Sequence, residues 1–232
     1  MREPSQPGPA RVKTAIVAAM PREVAALIKT WRCVHRNFES RSFDFFENDD
    51  RVLLCGGIGS EAARRAAVAV IALYRPERII SAGFAGSLDP ALRAGTIFCP
   101  QIVINARDGS RIQSSEGNGV LVTFPGIAGA DQKSKLARAF QAQAVDMEAS
   151  AVGQAAAAAG LAFSAVKAIS DDAGFDMPLM DRYVDANGQF QTAKFAFAAA
   201  LRPWLWNRLR LLSRNSYIAS RALCDHLARE SP

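Results

Sequence analysis

Histidine, paired cysteines and long apolar runs are what this chain has little of, and each shortage closes a class of function. Its 232 residues include two histidines, His35 and His226, far apart in sequence and with no neighbouring residues that make either an obvious triad base. The four cysteines, Cys33, Cys55, Cys99 and Cys224, are scattered with no CxxC or CxxH spacing. That argues against a zinc ligand set and against a disulfide framework, and it fits free thiols in a reducing cytoplasm. The longest uncharged stretch, Ala149 to Val166, is mostly alanine and is interrupted by Gly160. It reads as a helix, a glycine stop and a buried strand rather than a membrane span. The N-terminal apolar stretch "TAIVAAM" is short and runs straight into Pro21-Arg22-Glu23, unlike a signal peptide.

Half the residues are hydrophobic and 22% are charged, as in a soluble globular domain with one large core. The net charge of +6 is concentrated at one end: from Lys194 onward, seven Lys and Arg face only Asp225 and Glu230, a local net of +5. The body is therefore close to neutral.

Residues 1–12 are proline-rich and polar and are expected to be disordered. Apolar runs that read as buried strands then alternate with helical patterns. "KTAIVAAM" (13–20) reads as a strand and "PREVAALIKTW" (21–31) as a helix opened by proline. "SRSFDFFEN" and "RVLLCGGIG" read as paired strands. "SEAARRAAVAVIALY" (60–74) reads as a helix with Ser60 as its N-cap. A strand, a glycine bend and another strand fill "ERIISAGFAGSLDPALRAGTIFCPQIVI"; "GVLVTFPG" (119–126) is a further strand, and "QKSKLARAF" (132–140) a short basic helix. "AQAVDMEASAVGQAAAAAG" is a strand end entering a helix, and "FSAVKAISDD" a last buried strand. The pattern predicts an α/β fold with helices on both faces of a mixed sheet.

In such folds ligands collect beyond the carboxyl ends of the strands. Five of these ends carry polar or glycine chemistry: Met20-Pro21-Arg22-Glu23, Gly56-Gly57-Ile58-Gly59, Gly83-Phe84-Ala85-Gly86, Asp146-Met147-Glu148 and Ser170-Asp171-Asp172. Each has an ordinary explanation as a turn or a helix start. Their occurrence on one edge is what points to a site.

Taken in order, "AAMPREV", "GGIGSEAA", "SAGFAGSLDPALRAG", "VDMEASAV" and "KAISDDAG" resemble the nucleoside phosphorylase and nucleosidase superfamily, of the purine nucleoside phosphorylase and methylthioadenosine–S-adenosylhomocysteine nucleosidase type. The resemblance covers about residues 13–200. It implies a three-layer αβα sandwich around a central mixed sheet, a homo-oligomer (a dimer is favoured) and cleavage of an N-glycosidic bond without a metal or cofactor. Phosphate would be a co-substrate if the reaction is phosphorolytic. Asp171 matches the family's acid, which protonates N7 of the leaving purine, a task suited to a carboxyl whose pKa burial has raised. Ser170 would orient it. Glu148 matches the carboxylate that accepts hydrogen bonds from the ribose diol, and Met147 the residue packed on the sugar face. Gly59, Phe84, Ala85 and Gly86 fall in the bends that meet substrate; Phe124 and Ile127 are candidates for the base pocket.

Glu23 matches the glutamate that activates water in the hydrolytic branch. Arg22 is expected to point away from Glu23 if this edge is extended. The bend "SAGFAGS" has no arginine for phosphate, and Phe84 stands where relatives carry a serine. Hydrolysis is favoured modestly, with phosphorolysis the alternative. A non-catalytic nucleoside- or lipid-binding protein on the same scaffold is the competing reading, motivated by Phe84 and "TFPGIAG".

"GFAGSLDPALRAG" and the long region after "DDAGFDMP" resemble hopanoid-associated nucleoside phosphorylases, which implies a 5′-substituted adenine nucleoside, even one linked to a lipid. Residues 201–232 read as a basic amphipathic helical extension. On a helical wheel Leu201, Trp204, Leu205, Leu209, Leu211 and Leu212 fall mainly on one side, and Arg202, Arg210 and Arg214 on the other, while Arg208 interrupts the apolar arc. Such a helix suits a membrane surface, with Trp204 and Trp206 as anchors and "GFDMPLMDRY" (174–183) as a wall of the site. Packing on the core or on a partner subunit explains the same leucines. Nucleic-acid binding is the weakest reading, since no separate basic platform with interleaved aromatics is present. The expectation is a cytoplasmic protein, with peripheral membrane association if the first reading of the tail holds.

Overall fold

The computed structural model describes residues 12–176 and 206–229. Its core begins with β1 (Thr14–Ala18), whose five residues are all buried. Ala15 and Val17 face one hydrophobic cluster, Ile16 and Ala18 the other. That alternation, buried on both faces, marks a central strand covered by helices on each side. The chain continues through a 3-10 turn (Pro21–Glu23) and the single-turn α1 (Ala25–Ile28). The expected helix over 21–31 is thus broken, because the chain must reach an edge strand, β2 (Arg32–Phe38), by residue 32. Mostly polar "RCVHRNF" gives no sign of that strand in the sequence. β2 pairs antiparallel with β3 (Arg41–Asn48), and β3 with β4 (Arg51–Cys55).

Helix α2 (Ser60–Tyr74) follows β4, with Gly59 as its N-cap at φ 94°. Ser60 is the first helical residue instead, and its hydroxyl donates to the Met147 carbonyl at 3.0 Å. Next come β5 (Arg78–Ser87), β6 (Ile97–Phe98), β7 (Ile102–Asn105), the unforeseen β8 (Arg111–Gln113) and β9 (Val120–Thr123). α3 (Ala130–Phe140), β10 (Ala144–Asp146), α4 (Ala149–Ala158), β11 (Ala162–Asp171) and α5 (Trp206–Arg229) complete the described elements.

The sheet runs β2-β3-β4-β1-β5-β10-β9-β7-β8, with β11 joined to β5 and β6. β1, β4, β5 and β11 are mutually parallel where they pair, while β10 meets the end of β5 antiparallel. The sheet is mixed, with α2 and α4 on one face and α1 and α5 on the other.

Ala219, Leu223, Cys224 and Leu227 of α5 pack with Val24, Leu27, Trp31, Ile80 and Val166 in the second cluster. Asn215, Ala219, Leu223 and Leu227, four residues apart, put one helix stripe into the core. The second half of α5 is a core helix of the α/β body. Its first half differs, with Trp206 46% and Leu211 45% exposed. Trp204, Leu201, Arg202 and Leu205, with most of "GFDMPLMDRY", lie outside the described residues, as does the segment 1–11. No helix among the described residues is long and apolar enough to cross a membrane.

Candidate active site

Parallel strands β1, β4, β5 and β11 end at the same edge, and the loops leaving them surround a cavity of about 930 Å³. Glu23 enters from the turn after β1. Its carboxylate is buried and accepts the backbone N–H groups of Ala19 and Met20 at 3.1 and 3.0 Å, with a longer contact from Phe84 N–H at 3.5 Å. Burial pushes its pKa up; the Met20 N–H and the Lys167 charge oppose the rise without cancelling it. Gly83, at φ 152°, makes room: a Cβ there would stand 3.2 Å from Glu23 Oε2. Because residues 21–23 form a turn and not an extended edge, Arg22 lines the cavity beside Glu23 instead of pointing away.

Glu148, at the entry to α4, is fixed from the neighbouring bend. Gly59 N–H donates to its Oε1 at 2.7 Å, so Gly59 positions this carboxylate without itself lining the cavity. The Glu148 pKa is pushed up to about 8, first by burial and then by the repulsion of Asp146, with Lys167 pulling the other way. Met147 lies beside it on the cavity wall.

Asp171 owes its aim to an irregularity in β11. The pairing with β5 matches Ile169 to Ala85 and then jumps to Asp171 opposite Gly86, leaving Ser170 as an extra residue. Bulges of this kind re-aim side chains at strand ends. Ser170 Oγ lies 2.7 Å from Asp171 Oδ1, to which it donates, and 3.4 Å from the Ala85 carbonyl. The other carboxylate oxygen, Oδ2, is bonded to the ammonium of Lys133, which also donates to the Asp172 carbonyl at 2.7 Å.

Of the residues singled out in the sequence, Glu23, Phe84, Ala85, Gly86, Ile127, Met147, Glu148, Ser170 and Asp171 all line the one cavity. Phe124 is not among the lining residues: it packs with the cluster around Val122 and Leu136. Three contributors escaped the sequence reading. Lys133 is one. The second is the buried pair under the floor, where Lys167 Nζ sits 2.9 Å from Asp146 Oδ2 and 3.1 Å from Ser81 Oγ. Burial alone would lower the Lys167 pKa, but Asp146 and Glu148 more than offset it, so its pKa is raised. The third is α5, whose Leu209, Leu212, Ser216, Tyr217, Arg221 and Asp225 form a wall of the cavity. A lysine inside the apolar strand "SAVKAIS" was a readable signal for Lys167; nothing comparable marked the other two.

The one trio of metal-type donors among the described residues is Cys33, His35 and Asp44. It lies exposed on the β2–β3 hairpin, outside the cavity lining, where His35 Nδ1 is 2.5 Å from Asp44 Oδ1 as a cross-strand pair.

Comparison with known proteins places the sequence and the fold in a family. The sequence matches the phosphorylase superfamily over residues 13–128 and 106–201. It is 28% identical over 203 residues to a 5′-methylthioadenosine/S-adenosylhomocysteine nucleosidase of Marinomonas sp. (strain MWYL1), covering 70% of this chain and 87% of that protein. The fold superposes on the S-adenosylhomocysteine nucleosidase of Streptococcus pyogenes in complex with 5-methylthiotubericidin, with a TM-score of 0.68 at 18% identity over 96% of this chain and 98% of that one. The 5′-methylthioadenosine nucleosidase of Arabidopsis thaliana gives 0.69 at 16% identity, with the same coverage.

Proposed function

The chain belongs to the phosphorylase superfamily, and from that premise we propose that it hydrolyses the N-glycosidic bond of an adenine nucleoside carrying a large apolar 5′ substituent. The observation that carries the reading is the meeting of Glu23, Glu148 and Asp171 in one cavity whose wall is the leucine-bearing side of α5. At about 930 Å³, the cavity is at the upper end of the roughly 300–1,000 Å³ usual for small-molecule sites. That leaves room beyond a nucleoside, and Leu209 and Leu212 make part of the room apolar.

In this reading Glu148 accepts the 2′ and 3′ hydroxyls, two oxygens matched to a vicinal diol, and Met147 packs on the sugar. The C1′–N9 bond breaks with its electron pair moving onto the purine, while a proton reaches N7 from Asp171. Water then adds at C1′ and gives its proton to Glu23, whose raised pKa suits an acceptor. The products are adenine and a free sugar. A 5′ polycyclic lipid, as in an adenosylated hopanoid, is the finer form of the proposal; the supporting features are the cavity's size and the exposed apolar residues at the start of α5. Arg22 on the cavity wall favours the second reading, phosphorolysis, because a guanidinium there could meet phosphate.

The test is adenine release from 5′-substituted adenosines of increasing 5′ size, with and without phosphate, by wild type and Asp171→Asn. A free sugar as product and a loss of at least ~100-fold in the variant are expected for a general acid. Equal rates would remove Asp171 from the mechanism, and a sugar 1-phosphate would turn the assignment to phosphorolysis.

A further inference from the structure

The proposed acid presents a difficulty in its own geometry. Asp171 receives an ammonium on Oδ2 and a hydroxyl on Oδ1. Both carboxyl oxygens therefore face donors, and a proton that Asp171 delivers to N7 has to come through one of them. The proton nearest to it is on Lys133.

Lys133 is placed by α3 and not by the strand that carries Asp171. Its side chain is 2% exposed, and it lines the cavity. Gly86 is what lets it reach: a Cβ at that position would lie 3.0 Å from Asp171 Oδ2 and 3.1 Å from Lys133 Cε. The ammonium is divided between Asp171 and the Asp172 carbonyl, two acceptors at the end of β11. The other charged groups around the cavity are Arg22 and Glu23 after β1, Asp146 and Glu148 at the β10–α4 junction, and Arg221 and Asp225 on α5. At the start of α3, Asp176 approaches the N-cap residue Gly129.

We propose that Lys133 is the proton source for the glycosidic cleavage, acting through Asp171 as a positioning and relay residue. The inference rests on the nucleosidase reading above. As the C1′–N9 bond breaks, the purine takes the bonding pair, Lys133 Nζ passes a proton to Asp171 across the bond it already makes to Oδ2, and Asp171 hands a proton on to N7. Adenine leaves neutral, Asp171 ends in the state in which it began, and Lys133 ends as a neutral amine. The proton that the attacking water loses to Glu23 passes to solvent, and solvent returns one to Lys133, so the cycle closes with no net gain or loss.

The two roles open to a lysine here, proton source or static counter-charge, separate in Lys133→Arg. A guanidinium preserves the ion pair but gives up no proton in a protein. The experiment follows adenine release from 5′-methylthioadenosine by wild type, Lys133→Arg and Lys133→Met between pH 4 and 10, with adenine affinity and thermal unfolding measured on each. The expected result for Lys133→Arg is a kcat lower by at least ~100-fold, with adenine affinity within about threefold of wild type. In Lys133→Met only a carboxyl remains to hold the proton. Its alkaline limb is then expected to move acidward by about two or more pH units. Wild-type-like kcat in Lys133→Arg would overturn the proposal, and so would an unmoved alkaline limb in Lys133→Met, which decides the matter alone if the bulkier arginine fails to fold. A wild type that releases no adenine from any 5′-substituted adenosine would bring down the function and this inference together. Wild-type kcat and an unmoved alkaline limb in all three proteins would bring down only the inference.

Discussion

Replacing Lys167 by methionine tests what holds the floor of the cavity. Lys167 and Asp146 are 1% and 0% exposed and 2.9 Å apart. Asp146 has two further donors, Thr123 Oγ1 at 2.7 Å and Ala149 N–H at 2.8 Å, so the variant keeps part of its hydrogen bonding and loses its counter-charge. Removing one member of a buried ion pair costs ~3–5 kcal/mol because the survivor is left charged in a poor solvent. Glu148 already carries a raised pKa caused in part by Asp146, so two carboxylates would then share a site with no cation between them. The variant should relieve this by binding a proton in the folded state. A carboxyl whose folded pKa lies above its unfolded value contributes least when ionised, so the stability deficit grows as pH rises from the unfolded pKa. With one proton taken up, the deficit should widen by up to ~1.4 kcal/mol per pH unit, or roughly 3 kcal/mol between pH 5 and 7. Urea unfolding of wild type and Lys167→Met at pH 5, 6 and 7 reads this directly. A deficit below about 1 kcal/mol that does not change with pH would refute the claim that the pair is buried and charged.

The raised pKa of Glu148, about 8, has a consequence for binding. Diol hydroxyls favour the ionised carboxylate, so affinity for a non-hydrolysable adenosine analogue should fall as pH drops below 8, by no more than ~tenfold per pH unit, while a 2′-deoxy analogue should depend on pH less. Titration calorimetry of both analogues at pH 6, 7 and 8 checks it, and equal pH dependence would remove Glu148 from the diol. The membrane reading of the tail is best tested on the exposed residues of α5: Trp206, Leu211 and Tyr217 changed together to serine should reduce co-sedimentation of the full chain with anionic liposomes at low salt. If the unaltered chain also stays in solution, the exposed face of α5 is not a lipid contact.

What was readable in the sequence was whatever a short local pattern carried. Glu23, Glu148 and Asp171 sit at strand ends, and once the strands were recognised from their apolar runs, the α/β rule alone placed them on one edge. Strand β2 was invisible because its seven residues have a polar alternation in which few positions are buried, as suits the outermost strand of the sheet. The 21–31 helix failed for a tertiary reason, since its apolar spacing fits a helix but the next strand starts too soon. Lys133 could not be found at all. In "QKSKLARAF" it looks the same as Lys135, yet Lys133 is buried and Lys135 is exposed; only the path of α3 past the end of β11 distinguishes them. The tail misled in a similar way. Its conspicuous leucines and arginines lie in residues 201–214, whereas the stripe that enters the core is Asn215, Ala219, Leu223 and Leu227, half of it neither large nor strongly apolar. A truncation near residue 188 would therefore remove part of the core together with a wall of the cavity, and could not isolate a membrane role.

Two buried lysines, Lys133 and Lys167, each sit on an aspartate, and the surroundings assign the two pairs different work. Asp146 is fully enclosed, and each of its oxygens already has donors from Thr123, Ala149 and Lys167. Its side chain is 0% exposed, so that pair holds β10, β11 and the start of α4 in place and sets the field felt by Glu148. Asp171 is 18% exposed and lines the cavity, with one oxygen on the Ser170 hydroxyl and the other on the Lys133 ammonium. In the proposed relay a proton leaves that pair on the cavity side and is replaced from Lys133. The buried pair lacks an open side, and for that reason the difference between structure and chemistry here lies in access to the aspartate, not in the residue types.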